Sequence, residues 1–194
     1  MALAARSPSL AAVLAIVAAL LVAPASRAAG SAAQAGAAAS ELKAAFLFNF
    51  AKFTEWPADA IRPAQRLMIC VTRDTPVAAA AERFVKGKTI DGHEVAIVIV
   101  GVERPVDWCH VLYLDGLDGK ETTRLLESMK SVPVLTVGDG EAFARQGGVA
   151  GLVVEIDRMR FVINVTAARR ARLTLSSRLL GLASIVKDEP DVEH

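Results

Sequence analysis

Residues 95–100 read Val-Ala-Ile-Val-Ile-Val, an apolar run without a single polar position. A strand with one solvent face alternates apolar and polar residues, whereas a strand covered on both faces reads as a continuous apolar run. The run therefore predicts a central strand in a sheet that helices cover on both sides. Further strands are predicted at residues 67–72, 111–114 and 134–137.

Helical patterns alternate with these strands, at about residues 41–54, 77–85 and 120–129. Alternating strands and helices are typical of α/β layers built on a mostly parallel sheet. Two later strands at 149–156 and 160–164, separated by a short turn, predict a hairpin that makes the sheet mixed. We therefore expect an α/β fold: a mixed, mostly parallel sheet covered by helices, in one compact domain.

The ends of this domain are also predicted from patterns. Ser40 is a candidate N-cap for the first helix, in which Phe46, Phe50 and Phe53 share one face. The last helix is predicted from Thr166 to Lys187. The expected division is a lead-in at residues 29–39, a domain at 40–187 and a polar tail at 188–194.

Residues 1–28 have the features of a secretory signal peptide. Arg6 precedes an apolar run, Leu10–Ala23, of 14 residues. A membrane-spanning helix needs about 20 such residues, and a shorter run followed by small residues is typical of a cleaved signal. We therefore expect the protein to work outside the cytoplasm; an uncleaved N-terminal anchor is the alternative.

The charge of the chain narrows its possible partners. Without Arg6 and Arg27, the chain has 20 Lys and Arg against 21 Asp and Glu, which gives no electrostatic reason to expect nucleic acid as a partner.

Cys70 and Cys109 are the two cysteines. An even number of cysteines in an exported chain favours a disulfide, and two separate buried thiols are the alternative.

No catalytic motif stands out. His93, His110 and His194 lack the spacing of metal ligands, and the sequence around Ser176 is not a nucleophile elbow. We therefore predict a protein that is not an enzyme and has no cofactor. Asp115 and Asp139 end two predicted strands and could share a crevice, which leaves a small-ligand-binding module as an alternative. The Asp-Gly turns that follow both strands explain these two residues equally well.

Two groups of residues are candidates for a partner surface. Phe48 and Trp56 fall off the apolar face of the first helix, and exposed aromatic residues often anchor interfaces. Arg169, Arg170 and Arg172 form a basic cluster at the start of the predicted last helix, where a charged patch could guide docking. A solvated helix face is the simpler explanation of the three arginines.

Three blocks of the sequence share features with a known family. These blocks are Leu42-Lys43-Ala44-Ala45-Phe46-Leu47-Phe48-Asn49-Phe50-Ala51-Lys52-Phe53-Thr54-Glu55-Trp56-Pro57; Leu135-Thr136-Val137 with Phe143-Ala144 and Gly147-Gly148; and Phe161-x-Ile163-Asn164, Ala167-Ala168 and Leu173-x-Leu175-Ser176-Ser177-x-Leu179-Leu180. Together they resemble the YfiR-like family of periplasmic proteins.

The resemblance implies a function as well as a fold. It implies a periplasmic regulator without catalytic activity, which binds the periplasmic sensor region of an inner-membrane diguanylate cyclase and lowers cyclic-di-GMP output. It also implies a homodimer and a disulfide that supports the fold. A second cysteine pair found in some relatives is absent from this sequence, so redox control through that pair is not expected.

Overall fold

In the computed structural model of the protein, residues 25–155 and 158–187 are described. The predicted signal segment up to residue 24 and the predicted tail at 188–194 lie outside them. The helices are α1 (Ala25–Lys52), α2 (Pro76–Val85), α3 (Gly119–Met129), α4 (Glu141–Arg145), α5 (Val165–Arg170) and α6 (Ser177–Leu180). The strands are β1 (Thr54–Glu55), β2 (Leu67–Val71), β3 (Thr89–Ile90), β4 (His93–Ile99), β5 (Val111–Leu114), β6 (Leu135–Asp139), β7 (Ala150–Val154), β8 (Met159–Asn164), β9 (Thr174–Leu175) and β10 (Ser184–Val186).

Eight of these strands form one sheet in the order β10-β8-β7-β6-β5-β2-β4-β3. Within the described residues its pairs are parallel except β7 with β8 and β3 with β4, which are antiparallel. The predicted mixed, mostly parallel sheet is thus confirmed. β1 and β9 pair antiparallel in a separate two-stranded ribbon. The chain clusters into two units, Met1–Ala38 and Ala39–His194, and the second holds every described strand.

Helices pack on both faces of the sheet. On one face, α1 places Leu47 and Phe50 in a core with Ile69 and Tyr113 from the central strands. On the other face, a separate core, to which α3 and α4 contribute, contains Cys70, Leu112, Leu125, Leu126, Met129 and Phe143. Successive residues of β2 and β5 point to opposite cores, as the two-residue period of a strand requires.

The helix starts follow their local capping signals at α2 and α3. Thr75 caps α2 and Pro76 occupies its first turn, where a missing N–H costs nothing. Asp118 and Glu121 form a reciprocal capping box at the start of α3. Both helices therefore begin within one residue of their predicted starts.

The start of α1 differs from the prediction. The helix begins at Ala25 rather than after Ser40, so the residues expected to form a flexible lead-in are helical. Alanine has the highest helix propensity, and this segment is rich in it, so the sequence gives the helix no local reason to stop. At the other end the Thr54 hydroxyl donates to the Phe50 carbonyl oxygen at 2.7 Å, beside the last turn.

The apolar run at residues 95–100 is not a central strand. It lies in β4, which is next to the end of the sheet, and only the two-residue strand β3 lies beyond it. Ile99 is 45% exposed, whereas Tyr113 in β5 is fully buried. The prediction was wrong because a continuous apolar run indicates covered faces and does not indicate how many strands lie to either side.

The single last helix predicted from Thr166 to Lys187 is also wrong. α5 ends because Arg172 adopts a left-handed backbone (φ 57°), and the Leu173 N–H donates to the Ala168 carbonyl at 2.9 Å. β9 then pairs with β1, and the Ser176 side chain caps the short helix α6. Pairing with a distant strand overrides the helical periodicity of this segment.

The hairpin of β7 and β8 is confirmed, with Val154 opposite Met159; residues 156 and 157 at its turn lie outside the described residues. Glu155 closes the strand end by accepting hydrogen bonds from Arg160 and Arg158. These two bonds lower the pKa of Glu155 to about 2. The two arginines are exposed, so their ion pairs with Glu155 contribute little to stability.

Candidate partner-binding surface

The predicted disulfide is present and joins β2 to the residue two positions before β5. The Cα atoms of Cys70 and Cys109 are 5.9 Å apart, and both residues are buried. Because β2 and β5 are hydrogen-bonded neighbours, the bond ties the loop after β4 to the centre of the sheet. The disulfide therefore stabilises the sheet that positions the candidate surfaces.

Phe48 and Trp56 are not exposed anchors. Both are half-buried and have partners within the chain. The Phe48 ring packs against Phe84 at 5.7 Å, and the Lys88 ammonium lies 5.2 Å from the Phe48 ring centre. The Trp56 indole donates to the His110 carbonyl oxygen at 3.3 Å. These contacts within the chain explain the positions of Phe48 and Trp56, so neither position requires an external partner.

His110, under Trp56, is held in its neutral form. Burial lowers the pKa of His110, opposed in part by a hydrogen bond with the backbone of Ala60, and the charge of His93 lowers it further. The Met68 N–H donates to Nδ1 of His110 at 2.9 Å, which requires that nitrogen to be an unprotonated acceptor. The residue is thus part of the sheet's hydrogen bonding.

The three arginines do not share one helical face. Arg169 and Arg170 end α5, whereas Arg172 lies beyond it in the left-handed conformation. Arg172 pairs with Asp59 at 3.1 Å, and Arg170 is half-buried. Arg169 and Arg170 therefore lie on the helix and Arg172 beyond its end, and a docking role for the three stays a prediction.

Asp139 and Asp115 lie at the carboxyl ends of neighbouring parallel strands, as predicted, but only Asp139 enters a side-chain cluster. Lys43 from α1 donates to Asp139 and, at 3.0 Å, to the Tyr113 hydroxyl, which itself donates to Asp139 at 2.9 Å. Burial raises the pKa of Tyr113, and the charges of Asp139 and Asp115 add to the effect. The phenol therefore remains a donor, and the three groups satisfy one another across the junction of α1 and the sheet.

At the end of β5, the backbone of Asp115 bonds to the side chain of Thr72. The Thr72 hydroxyl donates to the Asp115 carbonyl and accepts from its N–H, both at 2.9 Å. These two hydrogen bonds link the ends of β2 and β5. Over residues 25–155 and 158–187, no group of three or more His, Cys, Asp or Glu side chains is placed to hold a metal ion.

An apolar groove between α1, β8 and the segment around α6 is the surface that sequence reasoning missed. We call it the aromatic groove. It has a volume of about 300 Å³ and is lined by Phe46, Asn49, Phe50, Phe53, Phe161, Arg178, Leu179 and Leu182. Phe50 and Phe161 pack edge to face at 5.1 Å, and Phe46 lies 5.6 Å from Phe161. These ring contacts give the groove a rigid floor.

The rim of the aromatic groove is apolar and cationic. Leu182 is 74% exposed. Arg178 lies 5.8 Å from the centre of the Phe53 ring, and the Lys52 ammonium lies 5.9 Å from the same centre. Within the described part of the chain, no carboxylate lies within 4.0 Å of either cation. The groove therefore suits an apolar ligand segment that carries negative charge.

One sequence signal pointed toward this groove. Phe46, Phe50, Phe161 and Leu179 come from blocks that are far apart in the chain and that carry the family resemblance. Leu182 and Arg178 had no such signal, because neither is among the residues that carry the family resemblance.

Comparison with known proteins assigns the chain to a family. The YfiR/HmsC-like family profile matches residues 40–184. The chain belongs to the YfiR/HmsC-like family. The resemblance predicted from the three blocks is confirmed, and the family fits periplasmic regulation of diguanylate cyclase signalling. No curated protein matches the chain.

Two solved structures are similar at low identity. A conserved domain protein from Vibrio cholerae O1 biovar El Tor strain N16961 is 14% identical, with a TM-score of 0.44 over 63% of this chain and 55% of that one. An ABC domain in complex with L-Trp from Streptococcus pneumonia is 12% identical, with a TM-score of 0.43 over 66% of this chain and 58% of that one. The chain thus spans a little over half the length of each. In the described residues of this YfiR/HmsC-like protein, no helix is long and apolar enough to cross a membrane.

Proposed function

We propose that this YfiR/HmsC-like protein is a periplasmic regulator without catalytic activity. It binds the periplasmic sensor region of an inner-membrane diguanylate cyclase, represses the enzyme and lowers the concentration of cyclic-di-GMP. Family membership over residues 40–184 is the observation that carries the proposal. The apolar segment Leu10–Ala23 supports export, since its length and flanks are those of a cleaved signal peptide.

The aromatic groove is the surface through which the regulator binds the cyclase. Buried aromatic residues and arginine are enriched where interfaces bind most tightly. The groove offers the Phe53 ring with Arg178 beside it, and Leu182 projects from the rim. An apolar segment of the sensor region, flanked by acidic residues, would bury Leu182 and pair with the rim cations.

A periplasmic small-ligand-binding module is the second candidate function. The volume of the groove, about 300 Å³, is at the lower limit of typical small-molecule pockets. A ligand that binds only the folded state raises its melting temperature. A thermal-shift screen against periplasmic metabolites therefore distinguishes this candidate, because a protein-binding regulator is not stabilised by them.

Complementation tests the leading proposal. Deleting the gene should raise cellular cyclic-di-GMP, and restoring the wild-type protein should lower it again. Leu182→Asp should fold normally, because Leu182 is 74% exposed, but should fail to restore repression. Val154→Asp is the matched control, since Val154 is 57% exposed and lies outside the groove, and it should repress like wild type. Unchanged cyclic-di-GMP in the deletion strain would refute the regulatory role; full repression by Leu182→Asp would refute the assigned surface.

A further inference from the structure

The edge of β4 that faces away from β2 is open along most of its length. β3 pairs with β4 at two positions only, Thr89 opposite Glu94 and Ile90 opposite His93. Over residues 96–99, β4 pairs with β2 on one side, and no described strand pairs with it on the other. Residues 95–102 carry no charged side chain, although charged side chains commonly protect strand edges from pairing with other chains.

The backbone groups of Ile97 and Ile99 face this open edge. The Val95 N–H donates outward, to the Lys88 carbonyl oxygen at 3.1 Å, whereas the Val100 N–H donates inward, to β2, at 2.9 Å. Hydrogen-bonding groups alternate between the two edges of a strand, so the N–H and C=O groups of Ile97 and Ile99 point outward with those of Val95. The edge thus presents two donors and two acceptors to an added strand.

β3 closes one end of the open edge. Lys88 lies opposite Val95, and the preceding Gly87 has a left-handed backbone (φ 72°) at the point where the chain leaves α2. A strand added beside Ile97 cannot continue along the edge past Ala96, because Lys88 occupies the next position. A segment antiparallel to β4 must therefore stop or turn there with its carboxyl end, and a parallel segment with its amino end.

The charges at this closed end favour the carboxyl end. The Lys88 ammonium lies 3.3 Å from the centre of the Phe84 ring, and Phe84 packs against the same apolar cluster as Ile97. Lys86 is exposed. Among the described residues, no carboxylate lies within 4.0 Å of the ammonium of Lys86 or Lys88. A terminal carboxylate would be attracted to these two cations, whereas a terminal ammonium would be repelled.

Apolar surface flanks the other end of the open edge. Ile99 and Trp108 are each 45% exposed, and together with Val98 they line a depression of about 470 Å³. The Trp108 indole N–H donates to the Pro105 carbonyl oxygen at 3.1 Å, which holds the ring against the loop after β4. Apolar side chains of an added strand would be buried against this surface.

We infer that the open edge of β4 binds the C-terminal tail of another protein as an added antiparallel strand. The last residue of the tail lies opposite Ile97, the third from last lies opposite Ile99, and both exchange backbone hydrogen bonds with β4. The terminal carboxylate meets Lys86 and Lys88, and the last three side chains of the tail are apolar. This inference does not rest on the proposed function, which assigns the cyclase to the aromatic groove.

A peptide with two forms of its C-terminus tests the inference. The probe is a hexapeptide that ends in three valines and carries a fluorescent label at its amino end; its binding to the full chain is measured by fluorescence anisotropy. The form with a free carboxylate should bind about tenfold more tightly than the C-terminal amide, because the amide loses a charged hydrogen bond. The double variant Lys86→Gln/Lys88→Gln should abolish this difference. Lys120→Gln, at an exposed cation on α3, is the matched control and should retain it.

Ile99→Pro tests the backbone pairing. Proline removes the outward N–H and is tolerated on an edge strand, so the variant should fold but bind the carboxylate peptide about tenfold more weakly than Ile99→Ala. Ile99→Ala is the matched control, because it shortens the same side chain and keeps the N–H. Equal affinities of the two variants would contradict the pairing.

Hydrogen exchange of the wild-type protein keeps the test independent of how the variants fold. The amides of Ile97 and Ile99 should exchange fast in the free protein and become protected when the carboxylate peptide is saturating. Equal binding of the two peptide forms, or no binding of either, overturns the inference, as does a bound peptide that leaves both amides unprotected. Protection that appears without peptide as the protein is concentrated also overturns it, because a second copy of the chain then occupies the edge.

Discussion

At the β8 end of the sheet, α1 and the segment around α6 cover the strands, and Phe50 and Phe161 fill the space between them. At the β4 end, α1 and α2 cover one face, but the strand edge beyond Ala96 is open within the described residues. The first end encloses a groove with a cationic rim, and the second presents unpaired backbone groups. The two ends therefore suit different partners. The groove suits an apolar segment that carries negative charge, and the open edge suits another strand.

Substitution in the floor of the aromatic groove should have the largest effect on stability. Phe50 is 1% exposed, and Phe50→Ala should lower the free energy of unfolding by about 3 to 5 kcal/mol, because it leaves a cavity in the core. Ile99→Ala at the open end should cost less than about 1 kcal/mol, since much of Ile99 is already in solvent. Urea unfolding of both variants at low protein concentration measures the difference, and equal costs would contradict the contrast between the ends.

Opening the disulfide should have the next largest effect. Cys70 and Cys109 are separated by 39 positions, for which the chain-entropy account gives about 3 to 4 kcal/mol. Reductant should therefore lower the urea midpoint of the wild-type protein. The double variant Cys70→Ala/Cys109→Ala should unfold at a lower midpoint that no longer responds to reductant. An unchanged midpoint in reduced wild-type protein would show that the bond does not stabilise the region between the two ends.

The smallest effect should be a pH dependence from His110, in the middle of the sheet. Its folded pKa is lowered by burial, so below the unfolded pKa of about 6.5 the unfolded chain binds more protons than the native one. Stability from neutral His110 is fully present above that pH and is lost as the pH falls from there toward the folded pKa. Unfolding of His110→Asn, measured between pH 5 and pH 7.5, should show a shallower decline, because the amide oxygen can accept from Met68 without titrating.

His93 is the control for this pH effect. It hydrogen-bonds the Gln65 carbonyl at 2.7 Å outside the buried position of His110. His93→Asn should retain most of the decline of stability with falling pH. If the decline of stability disappears in His93→Asn and persists in His110→Asn, the pH dependence comes from His93, which contradicts its attribution to His110.

Local signals predicted much of this fold. The helical pattern at about residues 120–129 predicted α3, the two cysteines predicted the disulfide, and alternating patterns predicted the mixed sheet. Signals of this kind act over a few residues or follow from the chemistry of the compartment. They therefore remain readable without the tertiary structure.

The positions that failed depend on distant contacts. Residues 95–100 indicate covered faces, but the lateral place of β4 depends on the order in which other strands add to the sheet. Thr174 and Leu175 read as helix because their pairing with Thr54 and Glu55 is not visible locally. For the same reason Leu182 could not be predicted as the rim of a groove, and Phe48 could not be predicted to pack against Phe84.

Photo-crosslinking at the two ends tests the central claim most directly. A photoreactive amino acid would replace Leu182 in one variant and Ile99 in another, both at exposed positions, and crosslinked products from living cells would be identified by mass spectrometry. The account predicts that Leu182 crosslinks to an inner-membrane diguanylate cyclase and that Ile99, at the other end of the sheet, does not. The same product at both positions, or a cyclase crosslinked only at Ile99, would contradict it.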